Sequence, residues 1–249
     1  MSDDRTSNAA KRVARTGRGD AGVPDRSSGT SISQFLDAAR ATNPKEAGRL
    51  IFALDATMSR QPTWDRACAI QGSMFEAVAR TGGLSVQLVY FRGFGECRAS
   101  RWVMNANALR DLMTAIECRG GQTQIGKVLT HAAREAGRAK TAALVYIGDA
   151  MEEDADRLCR LAGELGLKGT KMFVFQEGED ASTERTFREF ARLTAGAWFR
   201  LGPNSAGRLA ELLGAVAVYA QGGRSALEAH GGEGSRLLLR QLPPAKGGG

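Results

Sequence analysis

The 249-residue chain is 43% hydrophobic and 24% charged, and its 34 basic and 27 acidic side chains give a formal net charge of +7. Such a chain can bury a sizeable core without disulfides or a structural metal, and no apolar run approaches the ~20 residues that a membrane-spanning helix requires. The surplus charge is spread, +2 over residues 1–31, +3 over 32–221 and +2 over 222–249, whereas a nucleic-acid binder usually concentrates it on one face, so nucleic acid is a poor match.

The expected organisation is a disordered tail over residues 1–31, a domain over 32–221, and a flexible Gly-rich tail over 222–249 that carries the apolar run Leu237-Leu238-Leu239. Both tails hold few large apolar side chains with which to offset their ordering entropy. The first residues have no apolar segment of the kind that marks a secretory leader, so a cytoplasmic location and reduced thiols are expected. Cys68, Cys97, Cys118 and Cys159 are too far apart for the close pairs of a zinc site. Two histidines, His131 and His230, cannot build a histidine-rich metal centre.

Between the tails, hydrophobic periodicity alternates. Residues 49–54 (RLIFAL) read as a buried strand, 64–80 as a helix stopped by Gly82-Gly83, and 85–91 (SVQLVYF) as a second strand. Residues 98–103 form a more polar strand suited to a sheet edge. Helices follow over 108–117, with Leu109, Leu112, Met113 and Ile116 on one face, and over 125–137. Residues 142–147 (AALVYI) have no polar alternation and read as a strand buried on both faces. A helix over 154–165, a strand over 171–175, a helix over 183–193, a strand over 197–201 and a helix over 206–219 complete the domain. The pattern predicts an α/β fold, a doubly wound and mostly parallel six-stranded sheet. The link from Phe91 to Arg98 is too short for a crossover helix, so one edge strand is expected to be antiparallel.

In such a sheet, ligands bind beyond the carboxyl ends of the strands, near the point where strand order reverses. The loops predicted there carry Asp55, Thr57 and Ser59 after the first strand, Thr123 between two helices, and Asp149 after the AALVYI strand. Two carboxylates with three hydroxyls form a hard-oxygen set suited to Mg²⁺ or Mn²⁺. They are too few for an all-protein cage, and a position left open would suit an outside carboxylate. Taken singly, each residue also has a local role open to it. Asp55 and Ser59 suit the start of a helix, Thr123 could cap the helix that follows it, and Asp149 could satisfy its own loop.

This arrangement resembles the von Willebrand factor A family, over about residues 48–219. The metal-ion-dependent adhesion site (MIDAS) of that family has Asp-x-Ser-x-Ser after the first strand, a distant Thr, and an Asp after the fourth strand. Asp55, Thr57 and Ser59 match the first motif, with Thr57 in place of the first Ser; Thr123 matches the Thr and Asp149 the last Asp. The resemblance implies that Thr57, Ser59 and Thr123 ligate the ion directly or through water, and that Asp55 and Asp149 hold its waters. A partner protein's Asp or Glu would complete the sphere, in protein–protein contact without turnover.

Competing signals are weaker. Residues 121–128 (GQTQIGKV) approach a phosphate-binding loop, but Val128 replaces its hydroxyl residue and the preceding segment reads as helical where that loop follows a strand. A strand-end Asp is also the nucleophile of some phosphoryl-transfer enzymes, which need a second Asp two residues on, where this chain has Thr57. No enzyme is therefore expected. Glu152, Glu153 and Asp154 are expected in the first turn of the next helix, where its dipole favours negative charge. Trp64 is expected in the core, and of Trp198 and Phe199 one inward and one outward.

Overall fold

The computed structural model describes residues 47–79, 83–202 and 205–244; the expected 1–31 tail lies outside them. The six strands are β1 (Gly48–Asp55), β2 (Leu84–Arg92), β3 (Glu96–Val103), β4 (Ala143–Gly148), β5 (Lys171–Glu177) and β6 (Ala197–Leu201). They form one sheet in the order β3-β2-β1-β4-β5-β6. Five strands are parallel, and β3 returns antiparallel to β2 through a turn in which Gly93 and Gly95 hold positive φ. Strand order reverses between β1 and β4. The helices are α1 (Gln61–Ile70), α2 (Gly72–Val78), α3 (Ala106–Thr114), α4 (Ile125–Arg138), α5 (Ala155–Leu167), α6 (Ala181–Leu193), α7 (Ala206–His230) and α8 (Gly232–Gln241).

The period-two alternation of strand side chains divides the core. Leu50, Phe52 and Leu54 of β1 face a cluster closed by α1, α2, α3, α7 and α8, whereas Ile51 and Ala53 face one closed by α4, α5 and α6. Both faces of the parallel strands are covered, which is why they read as unbroken apolar runs. Trp64 is buried and its indole N–H donates to the Met113 carbonyl at 3.2 Å. Trp198 and Phe199 point to opposite faces and both are buried, because α6 covers one face and α7 with α8 the other. Among the described residues no helix is long and apolar enough to cross a membrane.

Two expectations change. The helix expected over 64–80 begins at Gln61, with Pro62 in its first turn, and is interrupted at Gln71 between α1 and α2. In place of a flexible tail after residue 221, the chain stays helical to Gln241, bending at Gly223 (φ 69°) and turning at Gly231 and Gly232. The physical reason is burial: Leu227, Leu238 and Leu242 join the same core cluster as Leu212 and Phe199. Gly234 lets α8 approach closely, since a Cβ there would lie 2.4 Å from the Glu211 carbonyl oxygen. At the outer edge of β6, the Gln241 carboxamide accepts from the Trp198 N–H (2.9 Å) and donates to the Trp198 carbonyl (2.8 Å).

Loops at the carboxyl end of the sheet are tied together through backbone. Gln122 N–H donates to the Gly93 carbonyl and Arg119 N–H to the Ala56 carbonyl. Gly121 sits against the backbone of Gly93, where a Cβ would come within 2.3 Å. Gly121→Ala is expected to force these loops apart, at a cost of about 1–3 kcal/mol typical of overpacking. Thermal unfolding should show a midpoint lowered by several degrees; an unchanged midpoint would mean that the contact is soft.

Candidate functional site

The last residue of β1 is Asp55, and Asp149 is the first residue after β4, so the two carboxylates flank the reversal in strand order. Asp55 is buried, and its Oδ1 accepts the Thr57 N–H at 2.7 Å, which bends the chain into the short 3₁₀ turn Met58–Arg60. That turn sets the Thr57 and Ser59 hydroxyl oxygens 3.4 Å apart. Neither side chain caps the turn or the helix after it. Burial pushes the Asp55 carboxyl up to about 6; the Thr57 hydrogen bonds and the Arg60 charge pull it down, and the Asp149 charge adds to the rise.

Arg60 is the residue that sequence reasoning missed. Its side chain is buried, donating from Nη1 to Asp149 Oδ2 (3.0 Å) and from Nη2 to the Thr63 hydroxyl (2.6 Å) and to Glu177 at the end of β5. Arg66 reaches the other Glu177 oxygen at 2.9 Å. The guanidinium thus joins the turn after β1 to the ends of β4 and β5. Its only sequence signal was a cation directly after the Asp-x-Thr-x-Ser segment, with acidic partners 89 and 117 residues away.

Thr123 neither caps α4 nor faces open water. Its N–H donates to Glu152 Oε2 (3.0 Å) and its hydroxyl accepts the Glu152 N–H (3.1 Å), a reciprocal pair that fastens its loop to the segment after Asp149. Glu153 takes the start of α4 instead, accepting the N–H groups of Ile125 and of Gly126 (2.9 Å). Glu152 and Glu153 are therefore outside the first turn of α5, which begins at Ala155 with the Asp154 side chain accepting the Arg157 N–H as its cap. The dipole they offset is that of α4, a helix in the preceding part of the chain.

Direct contacts thus join Asp55, Thr57 and Ser59; Arg60 joins Asp149 to the same turn, and Glu152 joins Thr123 to the Asp149 loop. Among the described residues there is no group of three or more His, Cys, Asp or Glu able to hold a metal. Any cation here would depend on hydroxyls and water. The donor set suits such an ion in one respect: Asp55 is a buried carboxylate whose one hydrogen bond among the described residues comes from Thr57, beside two adjacent hydroxyls. The Tyr146 hydroxyl beneath Gly148 is also buried without a hydrogen-bond partner among the described residues. In another respect the site differs from an open cation site, because Arg60 already neutralises Asp149. The sequence resembling a phosphate-binding loop does not follow a strand; residues 115–124 are irregular and lead directly into α4.

No protein-family model and no curated protein matches the chain. Solved structures do. A von Willebrand factor type A protein from Catenulispora acidiphila superposes with a TM-score of 0.59 at 16% identity, over 71% of this chain and 43% of that one. Proximal thread matrix protein 1 from the mussel byssus, solved with a zinc-occupied MIDAS motif, gives 0.53 at 16% identity, over 70% and 48%. The VWA domain of SpRpn10 gives 0.52 at 11% identity, over 66% and 94%. The chain spans less than half the length of the first two. Sheet order, the antiparallel β3 edge and these superpositions agree that the chain has the von Willebrand factor A fold.

Proposed function

We propose that the chain is a non-enzymatic protein-interaction module whose rim binds a divalent cation, Mg²⁺ or Mn²⁺. Thr57, Ser59 and Thr123 would offer hydroxyl oxygens to it, and Asp55 and Asp149 would hold its waters. The ion would supply a Lewis-acidic position for the Asp or Glu carboxylate of a partner protein. The observation that carries this reading is the Thr57–Ser59 hydroxyl pair set beside the buried Asp55 carboxylate. Hydroxyls and carboxylates of this kind are hard ligands that favour such ions. Zinc at the MIDAS motif of the mussel protein supports the fold's capacity for a cation there.

Within this reading the chain's own groups have distinct work. Asp55 fixes the turn through the Thr57 N–H, so the two hydroxyls are set before any ligand arrives. Glu152 engages one of the two acceptor lone pairs of the Thr123 hydroxyl and leaves the other free. Arg60 holds Asp149 and competes with a cation for it. That competition favours a second reading, in which the guanidinium itself takes the cation's place and the rim docks partners without metal.

Calorimetric titration of Mg²⁺ and of Mn²⁺ separates the two readings. The cation reading expects saturable heat with wild type and none with Asp149→Ala. Equal heats would remove it, and no heat with either protein would leave the guanidinium reading.

Arg60→Gln is expected to tighten Mg²⁺ binding about tenfold, equivalent to the ~1.4 kcal/mol of a lost competing charge. It should also lower stability by about 2–4 kcal/mol in chelator, because Asp149 and Glu177 lose their shared partner. Urea unfolding reads the second effect and calorimetry the first.

Asp55 also makes stability depend on pH. Its folded value of about 6 exceeds the ordinary 3.8, so the folded chain binds more protons between those values, and stability falls as pH rises through that window. Asp55→Asn lacks this loss. In chelator, its stability relative to wild type should improve by about 2 kcal/mol from pH 4 to pH 7. Parallel urea curves at the two pH values check it.

A further inference from the structure

One face of α4 carries chemistry that the rim does not use. Lys127, Thr130, His131 and Arg134 recur at helical spacing and line a cleft of about 280 Å³ between α4, β3 and the start of α5. Arg98 of β3 and Arg157 of α5 close its sides, and Ala99 and Cys97 form an apolar wall over the buried Val89. Four cationic side chains, Arg98, Lys127, Arg134 and Arg157, therefore face one cavity, beside His131, whose burial pushes it toward the neutral form, and among the described residues no carboxylate lines it.

Their charges are poorly compensated from within the chain. The Lys127 ammonium donates to two neutral oxygens, the Gly95 carbonyl (2.7 Å) and Gln124 Oε1 (2.9 Å). Among the described residues, the Arg134 and Arg157 guanidinium groups are in no ion pair, and Arg98 has only Glu96, at 3.8 Å. Glu135 on the same helix is committed elsewhere, to Arg49, Arg138 and the Trp102 indole N–H. Glu153 is committed to the first N–H groups of α4, so an anion in the cleft would meet side chains and not the helix terminus. His131 is held by Gln87 Oε1 at 2.9 Å, which orients its ring. Burial pushes the Cys97 thiol up to about 11, so this wall is unreactive and the cleft suits reversible binding.

We propose that this cleft binds a compact phosphate monoester. Lys127 would act as the point charge and Arg134 and Arg157 as forks on the phosphoryl oxygens, the division of labour these two side chains favour. The organic part would lie on Ala99 and Cys97. The volume is just below the range of pockets that enclose drug-sized ligands, which favours a small ester over a dinucleotide. Lys127 belongs to the segment whose spacing approached a phosphate-binding loop. In the folded chain its ammonium reaches a basic cavity, although the backbone cradle of such a loop is missing.

The test is calorimetric titration of glycerol 3-phosphate and of inorganic phosphate into the full chain, with chelator present. The ester is expected to bind saturably. Lys127→Ala and Arg134→Ala should each weaken it about tenfold, the scale of one charge-assisted hydrogen bond. Both side chains are exposed and outside any ion pair, and circular dichroism confirms that each variant is folded. Equal affinity for the two probes supports a site for the free anion by the same chemistry. Asp149→Ala should bind the ester like wild type, which separates this cleft from the rim. The proposal is overturned if neither probe gives saturable heat at about 10 mM, a Kd weaker than any specific site warrants, or if both cleft variants bind like wild type.

Discussion

A buried guanidinium governs the rim of this domain. Charges taken out of water need partners close by, because desolvation otherwise exceeds what attraction returns. Arg60 meets that need with Asp149, Glu177 and Thr63, and in doing so binds three separate strand ends into one unit. The turn after β1, the loop after β4 and the end of β5 cannot drift apart without stranding a charge. Asp55 lies inside the same field, yet burial raises its pKa more than the Thr57 hydrogen bonds and the Arg60 charge lower it.

Around this centre, the loops lock by reciprocal polar contacts. Thr123 and Glu152 exchange two hydrogen bonds, and Glu153 closes the free end of α4. The acidic run after Asp149 thus works across the chain on another helix. It holds two loops in register beneath the rim. Such preset geometry lowers the ordering entropy that binding must overcome.

Much of the fold was legible from periodicity. The apolar runs of β1 and β4 announced a parallel sheet covered on both sides, and the short link between Phe91 and Arg98 announced the antiparallel edge. The candidate rim was legible as composition in three loops. Arg60 was not, because its partners lie 89 and 117 residues away and a lone arginine after a hydroxyl motif resembles any surface cation. The C-terminal helices were also missed. Their Gly-rich composition argued for flexibility, yet Gly223, Gly231 and Gly232 serve as turns, while Gly234 permits close helix contact and Leu238 fills the core. Pattern reading registers how many apolar residues a segment has, and three well-spaced leucines are enough when a groove already awaits them.

The Gln241 carboxamide occupies the backbone of Trp198 at the outer side of β6. A strand at a sheet border normally offers its amides to whatever extended chain arrives, in productive recruitment or in aggregation. Here that border is already stoppered by a side chain from the end of the fold. The opposite border is β3, where Arg98 and Arg101 stand exposed, and charged side chains on an edge strand disfavour its pairing with another chain.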